Sequence, residues 1–565
     1  MPGPEEPSRL MEEQMNAAAK FVESYFPKYD SGPLIESTLG DLMLKNAREV
    51  PDRLALVEGA PHPVDRRRWT YKQLLDEALA CARGLLKHFK PGDHVGLLAP
   101  ETPEWVIFQH GMSFAGIIII PINPAYTARE IAFILGNAQA AGVVYAQESR
   151  GRNLAAIVQE VKGQLDHLHT AIEVANLAHL QAEGDPQVKL PEQTPDQVMQ
   201  IQYTSGTTGF PKGACLHHRG VINAAHYIVE RAAFPMGGVW LNSMPMFHIG
   251  GAVVSEIGVF SRQGTFVLMK TFDPGLFLEL IEAEKVNSSL IVPTMILALL
   301  NHPDAKSRDL RSFNSILSGA AAVPEALVKR AKKEFNVEFA IMYGQTESNG
   351  PFLETFTTDS DELQSQTIGR PIPHVEVRVV DTNTLQTVPI NTVGEYWVRG
   401  FNTMKGYYGQ EEATRATLME DGWLRTGDLG TMDENGYFRI TGRLKEMIIR
   451  GGMNLYPSEI ESILFEHDDV AQVAVIGLPD EIWGETVAAV ITPKNHDIPP
   501  APETLWAYCR KNLAPQKTPE HWIFVKEFPL TATGKIQKTV LLEWYREGKL
   551  TPVRWNRPER DSKVA

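Results

Sequence analysis

The segment Tyr203-Thr-Ser-Gly-Thr-Thr-Gly-Phe-Pro-Lys-Gly213 gathers the groups that hold a phosphate. Thr204, Ser205, Thr207 and Thr208 offer hydroxyls around Gly206 and Gly209, where the missing Cβ atoms let backbone N–H groups approach an anion. Lys212 sets a compact positive charge at the end of the run. The spacing is not that of a Walker loop, because only a Thr-Thr pair separates the glycines and Phe-Pro stands before the lysine. A bare surface turn shares this composition. What separates the two readings is whether the rest of the chain supplies a matching site.

Such a loop works only on a rigid frame. Val198-Met-Gln-Ile-Gln, just before it, reads as a strand. From Ile35 to about residue 440, short apolar runs alternate with amphipathic stretches. His94-Val-Gly-Leu-Leu-Ala, Gly116-Ile-Ile-Ile-Ile-Pro, Gly142-Val-Val-Tyr and Ser288-Ser-Leu-Ile-Val-Pro predict buried strands. Thr70–His88 and Pro274–Lys285 predict helices between them. This alternation implies α/β layers around a largely parallel sheet. After residue 363 the helices thin out, and Val375–Val380 and Gly394–Arg399 predict strands of a smaller β-rich part. Beyond Arg443-Leu-Lys445 a compact run follows: helix Tyr456–Glu466, strands Val470–Gly477 and Glu485–Thr492, helix Pro502–Asn512, then Trp522–Val525. That suffices for a separate α+β domain of roughly 120 residues. The expected plan is an extension over residues 1–34 with a short helix near Met15–Phe26, a large domain over 35–444 and a small one over 445–565.

Composition narrows the function classes. A chain of 565 residues is too long for one hydrophobic core. Cys81, Cys215 and Cys509 form no CxxC pair, which argues against a disulfide scaffold or a zinc site and fits a reducing compartment. The acidic, polar N-terminal stretch does not read as a signal peptide. Ile117–Ile120, the most apolar short run, is far below the ~20 residues of a membrane helix. A cytoplasmic protein without a membrane span is expected. The net charge of −15 disfavours a nucleic-acid partner. Lys329, Arg330, Lys332 and Lys333 read as a solvated helix face, with a docking patch for an acidic carrier or a phosphate group as the other reading.

Placed on these elements, the loop resembles the phosphate loop of the acyl-adenylate-forming superfamily, which includes acyl-CoA synthetases, firefly-type luciferases and peptide-synthetase adenylation domains. The resemblance continues in order along the chain. Ser318-Gly-Ala-Ala-Ala-Val-Pro324 is similar to the family's adenine-binding turn, with Gly319, Ala320 and Ala321 small enough for a flat base to lie against backbone. Met342-Tyr-Gly-Gln-Thr-Glu-Ser348 resembles its YGxTE segment. There the resemblance implies that Tyr343 stacks on adenine beside Gly344 and Gln345, that Thr346 meets the α-phosphate, and that Glu347, with Thr208, holds Mg²⁺. Magnesium takes carboxylate, phosphate and water oxygens, so one glutamate beside ATP is chemically sufficient. Gly394-Glu-Tyr-Trp-Val-Arg-Gly400 matches a structural strand of the family. Trp423-Leu-Arg-Thr-Gly-Asp-Leu-Gly430 resembles its ribose segment, with Asp428 accepting from the ribose hydroxyls. In Gly442-Arg-Leu-Lys-Glu-Met-Ile-Ile-Arg-Gly-Gly-Met-Asn-Leu-Tyr-Pro-Ser-Glu-Ile-Glu461, Arg443 takes a ribose contact and Lys445 the hinge position. Pro529-Leu-Thr-Ala-Thr-Gly-Lys-Ile-Gln-Lys538 carries the C-terminal signature, with Lys535 as the adenylation lysine.

The resemblance implies a large N-terminal α/β domain with a β-rich part, a smaller mobile α+β C-terminal domain, and two half-reactions. A carboxylate is joined to the α-phosphate of ATP, and the acyl group then passes to coenzyme A with release of AMP. Lys535, Lys212 and Mg²⁺ offset the repulsion between two anions in the first step. In the second, Arg450, Gly451 and Gly452 are expected at the CoA thread. Phe247, His248, Gly250, Gly251, Thr294, Ala320, Gly344, Ser348 and Gly350 are expected to line the acyl pocket, with His248 also at the carboxylate or, alternatively, a core histidine bonded to backbone. No acid stands in Met246-Phe247-His248-Ile249, so an α-ammonium would be buried unpaired and an amino-acid substrate is disfavoured. A medium or long aliphatic acid or a bulky alicyclic one fits better. Transfer to a carrier-protein pantetheine and a stand-alone peptide-synthetase-type enzyme are the alternatives. Monomer and homodimer are both open.

Overall fold

The computed structural model describes residues 20–204, 211–319, 321, 323–530 and 536–555. By its contacts the chain divides into two compact units. The larger holds residues up to 392 with 396–426 and 432–439; the smaller holds 393–395, 427–431 and 440 onward.

Two sheets dominate the larger unit. One has nine strands in the order Arg370–Pro371, Gly350–Glu354, Glu338–Gln345, Ser315–Gly319, Ser288–Leu290, Val239–Asn242, Thr265–Leu268, Leu54–Glu58 and Arg68–Thr70. The six from Glu338–Gln345 to Leu54–Glu58 are parallel. The other has six strands: Lys212–His217, Val198–Thr204, Ile118–Pro121, His94–Leu98, Gly142–Tyr145 and Thr170–Glu173. All but Lys212–His217 run parallel. Parallel strands are covered on both faces, so they read as unbroken apolar runs, and Gly142–Tyr145 and Thr265–Leu268 are buried throughout.

Local chemistry sets the helix ends. Thr70 and Gln73 form a reciprocal capping box at the start of Tyr71–Leu85. Asp273 caps Pro274–Glu284, whose first residue is the proline that needs no N–H partner. Helix Pro103–Phe114 is buried at every position except Glu104, so it lies wholly inside the core.

The expected helix near Met15–Phe26 is not observed where the chain is described. Its first part, through residue 19, lies outside the described residues, and Tyr25–Phe26 is a short strand paired antiparallel with Arg378 and Val377 of Val375–Val380. Pairing with a sheet edge outweighs the weak helical preference of an isolated stretch. The basic cluster on helix Glu325–Phe335 is largely neutralised: Lys329 meets Glu325, Arg330 meets Glu334 and Lys332 meets Asp361. The solvated-face reading fits these pairs.

The smaller unit is built on a sheet in the order Met453–Leu455, Ile448–Arg450, Gly484–Pro493, His521–Phe524 and Val553–Arg554, with Val470–Asp480 also paired to Gly484–Pro493. Helices Pro457–Phe465, Pro502–Asn512 and Lys538–Arg546 complete it. Among the described residues of the whole chain, no helix is long and apolar enough to cross a membrane.

Candidate active site

Four parallel strands of the larger sheet, Val239–Asn242, Ser288–Leu290, Ser315–Gly319 and Glu338–Gln345, end along one edge. The segments that leave those ends carry Phe247–Gly251, Thr294, Gly319 with Ala321, and Thr346–Ser348. The carboxyl edge of a parallel sheet is where α/β proteins bind ligands, because loops from many strands meet there. Sequence-distant candidates are thus brought together by topology.

The phosphate-loop candidates stand on an antiparallel pair. Thr204 is opposite Lys212 in the ladder of Val198–Thr204 with Lys212–His217. Ser205, Gly206, Thr207, Thr208 and Gly209 lie outside the described residues, as do Ala320 and Lys535. At the foot of the loop, Lys212 Nζ sits 4.9 Å above the ring of Tyr407. The Tyr407 hydroxyl donates to Glu347 Oε1 at 2.8 Å. Burial and the adjacent Glu347 push the Tyr407 phenol above its ordinary range, so it remains a donor at neutral pH. Charge at Lys212 and charge at Glu347 are therefore braced by one aromatic side chain, through cation–π and charge-assisted hydrogen bonding.

Backbone bonds knit the same three segments. Met404 N–H donates to Glu347 O at 2.9 Å, Tyr408 N–H to Gly213 O at 2.8 Å, and Cys215 N–H to Gly406 O at 2.9 Å. Fully buried Asn349, in the left-handed region at φ 52°, accepts from His217 N–H at 3.1 Å and donates to Asn402 O at 2.9 Å. His217 and His218, beside it, are both held down to about 4, mainly because burial disfavours the imidazolium.

Tyr343 packs edge-on against Phe352 and Tyr396, with ring centroids 5.4 and 6.2 Å away. Gly344 has no room for a side chain: a Cβ there would fall 2.3 Å from Pro351 Cα. Gln345 and Ser348 close a capping box around the turn Thr346–Ser348 and so fix Glu347.

On the acyl side, Gln202 Nε2 donates to Phe247 O at 3.0 Å, and Gln200 donates to Gln202 at 2.7 Å. A buried amide chain thus ties the strand that enters the phosphate loop to the Phe247 segment. Gly250 N–H donates to His248 Nδ1 at 3.1 Å, which puts the ring proton on Nε2. Gly250 and Gly251 open a buried π-helix, Gly250–Ile257. The nearest atoms that a Cβ on Gly250 would meet belong to His248, Leu290 and Met244, at ordinary contact distances of 3.5–3.7 Å. A Cβ on Gly350 would meet Val253 and Ala224 at 3.9 and 3.6 Å. Thr294 is exposed in the first turn of helix Pro293–Asn301.

The smaller unit holds the remaining candidates. Asp428 Oδ1 and Arg443 Nε are 3.1 Å apart. Lys445 lies in the 3-10 turn Leu444–Glu446. Gly451 and Gly452 form the tip of the hairpin between Ile448–Arg450 and Met453–Leu455, at φ 57° and 81°. Arg450 is buried, paired with Glu520, bonded to Gln516 O at 2.9 Å and stacked 5.6 Å over Trp483. Its guanidinium is engaged inside its own unit. Lys538 bridges Glu446 and Glu461 at 2.9 and 2.7 Å.

Tyr407, Gln202 and Asn349 escaped the sequence reading. Tyr407 lies 60 residues from Glu347, and no spacing rule links a lone tyrosine to a distant carboxylate. Gln202 carried a weak signal, being polar inside an otherwise buried strand.

Comparison with known proteins identifies the family. Residues 43–408 match the model of the AMP-binding enzymes, and residues 459–535 match the AMP-binding enzyme C-terminal domain. A Rhodococcus jostii propanoyl:CoA ligase, whose acyl group bears a methyl-dioxo-octahydroindenyl ring system, is 34% identical over 528 residues, spanning 90% of this chain and 98% of the relative. A mouse mitochondrial medium-chain acyl-CoA ligase is 32% identical over 554 residues, spanning 92% and 89%. Among solved structures, a Mycobacterium tuberculosis fatty acyl CoA synthetase superposes with a TM-score of 0.74 at 31% identity, covering 90% of this chain and 99% of that one.

Proposed function

The chain belongs to the AMP-binding enzyme family and is an AMP-forming acyl-CoA ligase, and from that premise we propose which acid it activates and which residues do the work. The substrate is a hydrophobic carboxylic acid, medium-chain or bulky and alicyclic. Met244 and Leu290 supply apolar surface at Gly250, Val253 and Ala224 supply it at Gly350, and the mouse and Rhodococcus relatives are named for acids of these kinds. The carrying observation is the brace Lys212–Tyr407–Glu347 at the edge where the acyl and adenine segments also emerge.

In the first half-reaction the acid's carboxylate attacks the α-phosphorus of ATP and pyrophosphate leaves. Thr204, Ser205, Gly206, Thr207, Thr208, Gly209 and Lys212 cradle the leaving phosphates. Lys535 and Thr346 meet the α-phosphate. Gly319, Ala320, Ala321, Tyr343, Gly344 and Gln345 hold the adenine, and Asp428 with Arg443 the ribose. His248, whose Nδ1 accepts from Gly250 N–H, offers its Nε2 edge to the carboxylate. One carboxylate suits Mg²⁺, which takes the rest of its oxygens from phosphates and water. Glu347, with Thr208, would hold it, and bound there it would neutralise phosphate charge. Among the described residues no group of three or more His, Cys, Asp or Glu side chains is placed to hold a metal ion.

In the second half-reaction the CoA thiol attacks the acyl carbonyl and AMP leaves. Lys445 is the hinge about which the domain starting at residue 445 changes its orientation. Gly451 and Gly452 pass the pantetheine thread, and Arg450 shapes their hairpin from beneath through Glu520 and Trp483. The cytoplasm is our reading of the compartment, from three cysteines that are all free; the mouse relative is named as mitochondrial, and a reducing interior suits either.

The test is incubation with ATP, Mg²⁺ and a panel of short, medium, long, aryl, alicyclic and amino acids, with and without CoA, read by mass spectrometry. CoA-dependent AMP release with acyl-CoA from medium-chain or alicyclic acids supports the reading. Acyl-adenylate that accumulates at any CoA concentration points instead to a carrier-protein acceptor.

A further inference from the structure

The π-helix Gly250–Ile257 is held from behind by a buried pair that the reaction does not use. His110, on the largely buried helix Pro103–Phe114, lies with Nε2 3.0 Å from Glu256 Oε1. Their side chains are 1% and 0% exposed. Among the described residues neither His110 Nδ1 nor Glu256 Oε2 has a further partner, so this one bond carries the polar satisfaction of both groups. Burial pushes the Glu256 carboxyl above its ordinary range, while the bond from His110 opposes the shift.

The other end of the segment is tied to the same helix region. Glu101, just before that helix, accepts the Met246 N–H at 3.3 Å. Between the two ties lie Phe247, His248, Gly250, Gly251 and Val253. A Cβ built on Gly350 would lie 3.9 Å from Val253 Cγ1, whereas Glu256 faces His110. Ser255 Oγ bonds Gly250 O at 2.9 Å, bridging the wide turn. π-Turns are rare and concentrate at functional sites, because the extra residue rotates every side chain that follows. Tightening this stretch into an α-helix would swing Val253 off Gly350. It would also carry Glu256 off His110, leaving two buried polar groups unpaired, which strongly disfavours the change.

We infer that the His110–Glu256 bond locks the π-register of Gly250–Ile257 and thereby sets which acids the pocket accepts. Both are positioning residues, and the inference rests on the acyl-pocket assignment proposed above.

The experiment compares wild type, Glu256→Gln, Glu256→Ala and the double variant His110→Leu/Glu256→Met. Each is assayed for KM and kcat on the acid panel, for the KM of ATP, and for melting temperature. Replacing both partners by apolar groups of similar size removes the bond while sparing the core, so this variant keeps the test open if Glu256→Ala does not fold. The amide of Glu256→Gln can still bond the imidazole and should stay within about twofold of wild type on every acid. Glu256→Ala and the double variant should raise the KM of the best acid about tenfold and flatten the preference among acids, with the KM of ATP unchanged. An unchanged acid profile in the double variant overturns the inference. So does a uniform loss across acids and ATP that tracks melting temperature, since the pair would then merely support the core. Val253→Ala, run in parallel, separates the two readings. A shifted profile in Val253→Ala with an unshifted double variant sinks the lock alone, and no shift in either sinks the pocket assignment with it.

Discussion

The brace at Glu347 and the hairpin at Gly451 solve opposite problems. In the larger unit, Lys212 and Glu347 are fixed by a shared tyrosine, a capping box and backbone bonds from residues 404–408. In the smaller unit, two of the three residues expected at the thiol path, Gly451 and Gly452, carry no side chain, and the third, Arg450, has its charge paired with Glu520. Where charge must wait at a set place, the chain invests in bracing, since a preorganised dipole or ion need not reorganise during the reaction. Where a thread must pass, it invests in backbone freedom.

The sharpest way to break this contrast is Lys535→Ala. Removing a cation aimed at the growing negative charge should lower adenylate formation about a hundred- to a thousandfold. Thioester formation from supplied acyl-adenylate should survive. Rapid-quench assays of the two half-reactions decide it, and equal losses in both would remove Lys535 from the first step.

Gly451→Val attacks the other side of the comparison. Gly451 sits at φ 57°, and a Cβ there would fall 2.8 Å from Trp483 Cε3. The expected result is a fall in the thioester step of about ten- to a hundredfold, with adenylation near wild type. Loss of adenylation alone would show that the hairpin is not on the thiol path.

Tyr407→Phe sharpens the bracing claim. The ring remains over Lys212, but Glu347 loses a hydrogen bond of the charged kind. We expect kcat/KM for MgATP to drop about tenfold, with a higher Mg²⁺ concentration needed for half-maximal rate and little change in the KM of the acid. An unaltered Mg²⁺ requirement would reduce Tyr407 to packing.

These three residues also mark what was legible beforehand. Lys535 and the glycine pair stand in contiguous strings whose order along the chain carries the information. Tyr407 does not, because its partner Glu347, 60 residues away, is brought near only by the tertiary fold. The same division runs through the fold. Gly142–Tyr145 and Pro502–Asn512 were readable, since local apolar period and flanking Pro or Gly decide them. The strand Tyr25–Phe26 was not, as it exists only through pairing with Val375–Val380. Nor was the π-helix Gly250–Ile257, whose register is fixed by contacts such as Glu256 with His110 that no periodicity announces. Arg450 shows a third case. Its type and place suggested a ligand contact, yet its guanidinium is already satisfied by Glu520 and Gln516 O.

A further effect is expected on stability rather than rate, and it too belongs to the braced region. His217 caps helix His218–Arg231 through Nδ1, which accepts Gly220 N–H, and His218 Nδ1 accepts Leu39 N–H. Protonation would convert those acceptors to donors and break both bonds. With folded values near 4 against 6.5 for the ordinary group, the unfolded chain binds more protons than the folded one between those limits. Stability is therefore complete above about pH 6.5 and declines as pH falls toward 4, by about 1.4 kcal/mol per pH unit for each group. Denaturant midpoints measured across that window should show the decline. His218→Gln, which keeps an acceptor but cannot titrate there, should reduce the slope by about 1.4 kcal/mol per pH unit and leave the share of His217. A slope unchanged in that variant would assign the acid sensitivity to carboxylates elsewhere, and would leave the braced region no more acid-labile than the hairpin.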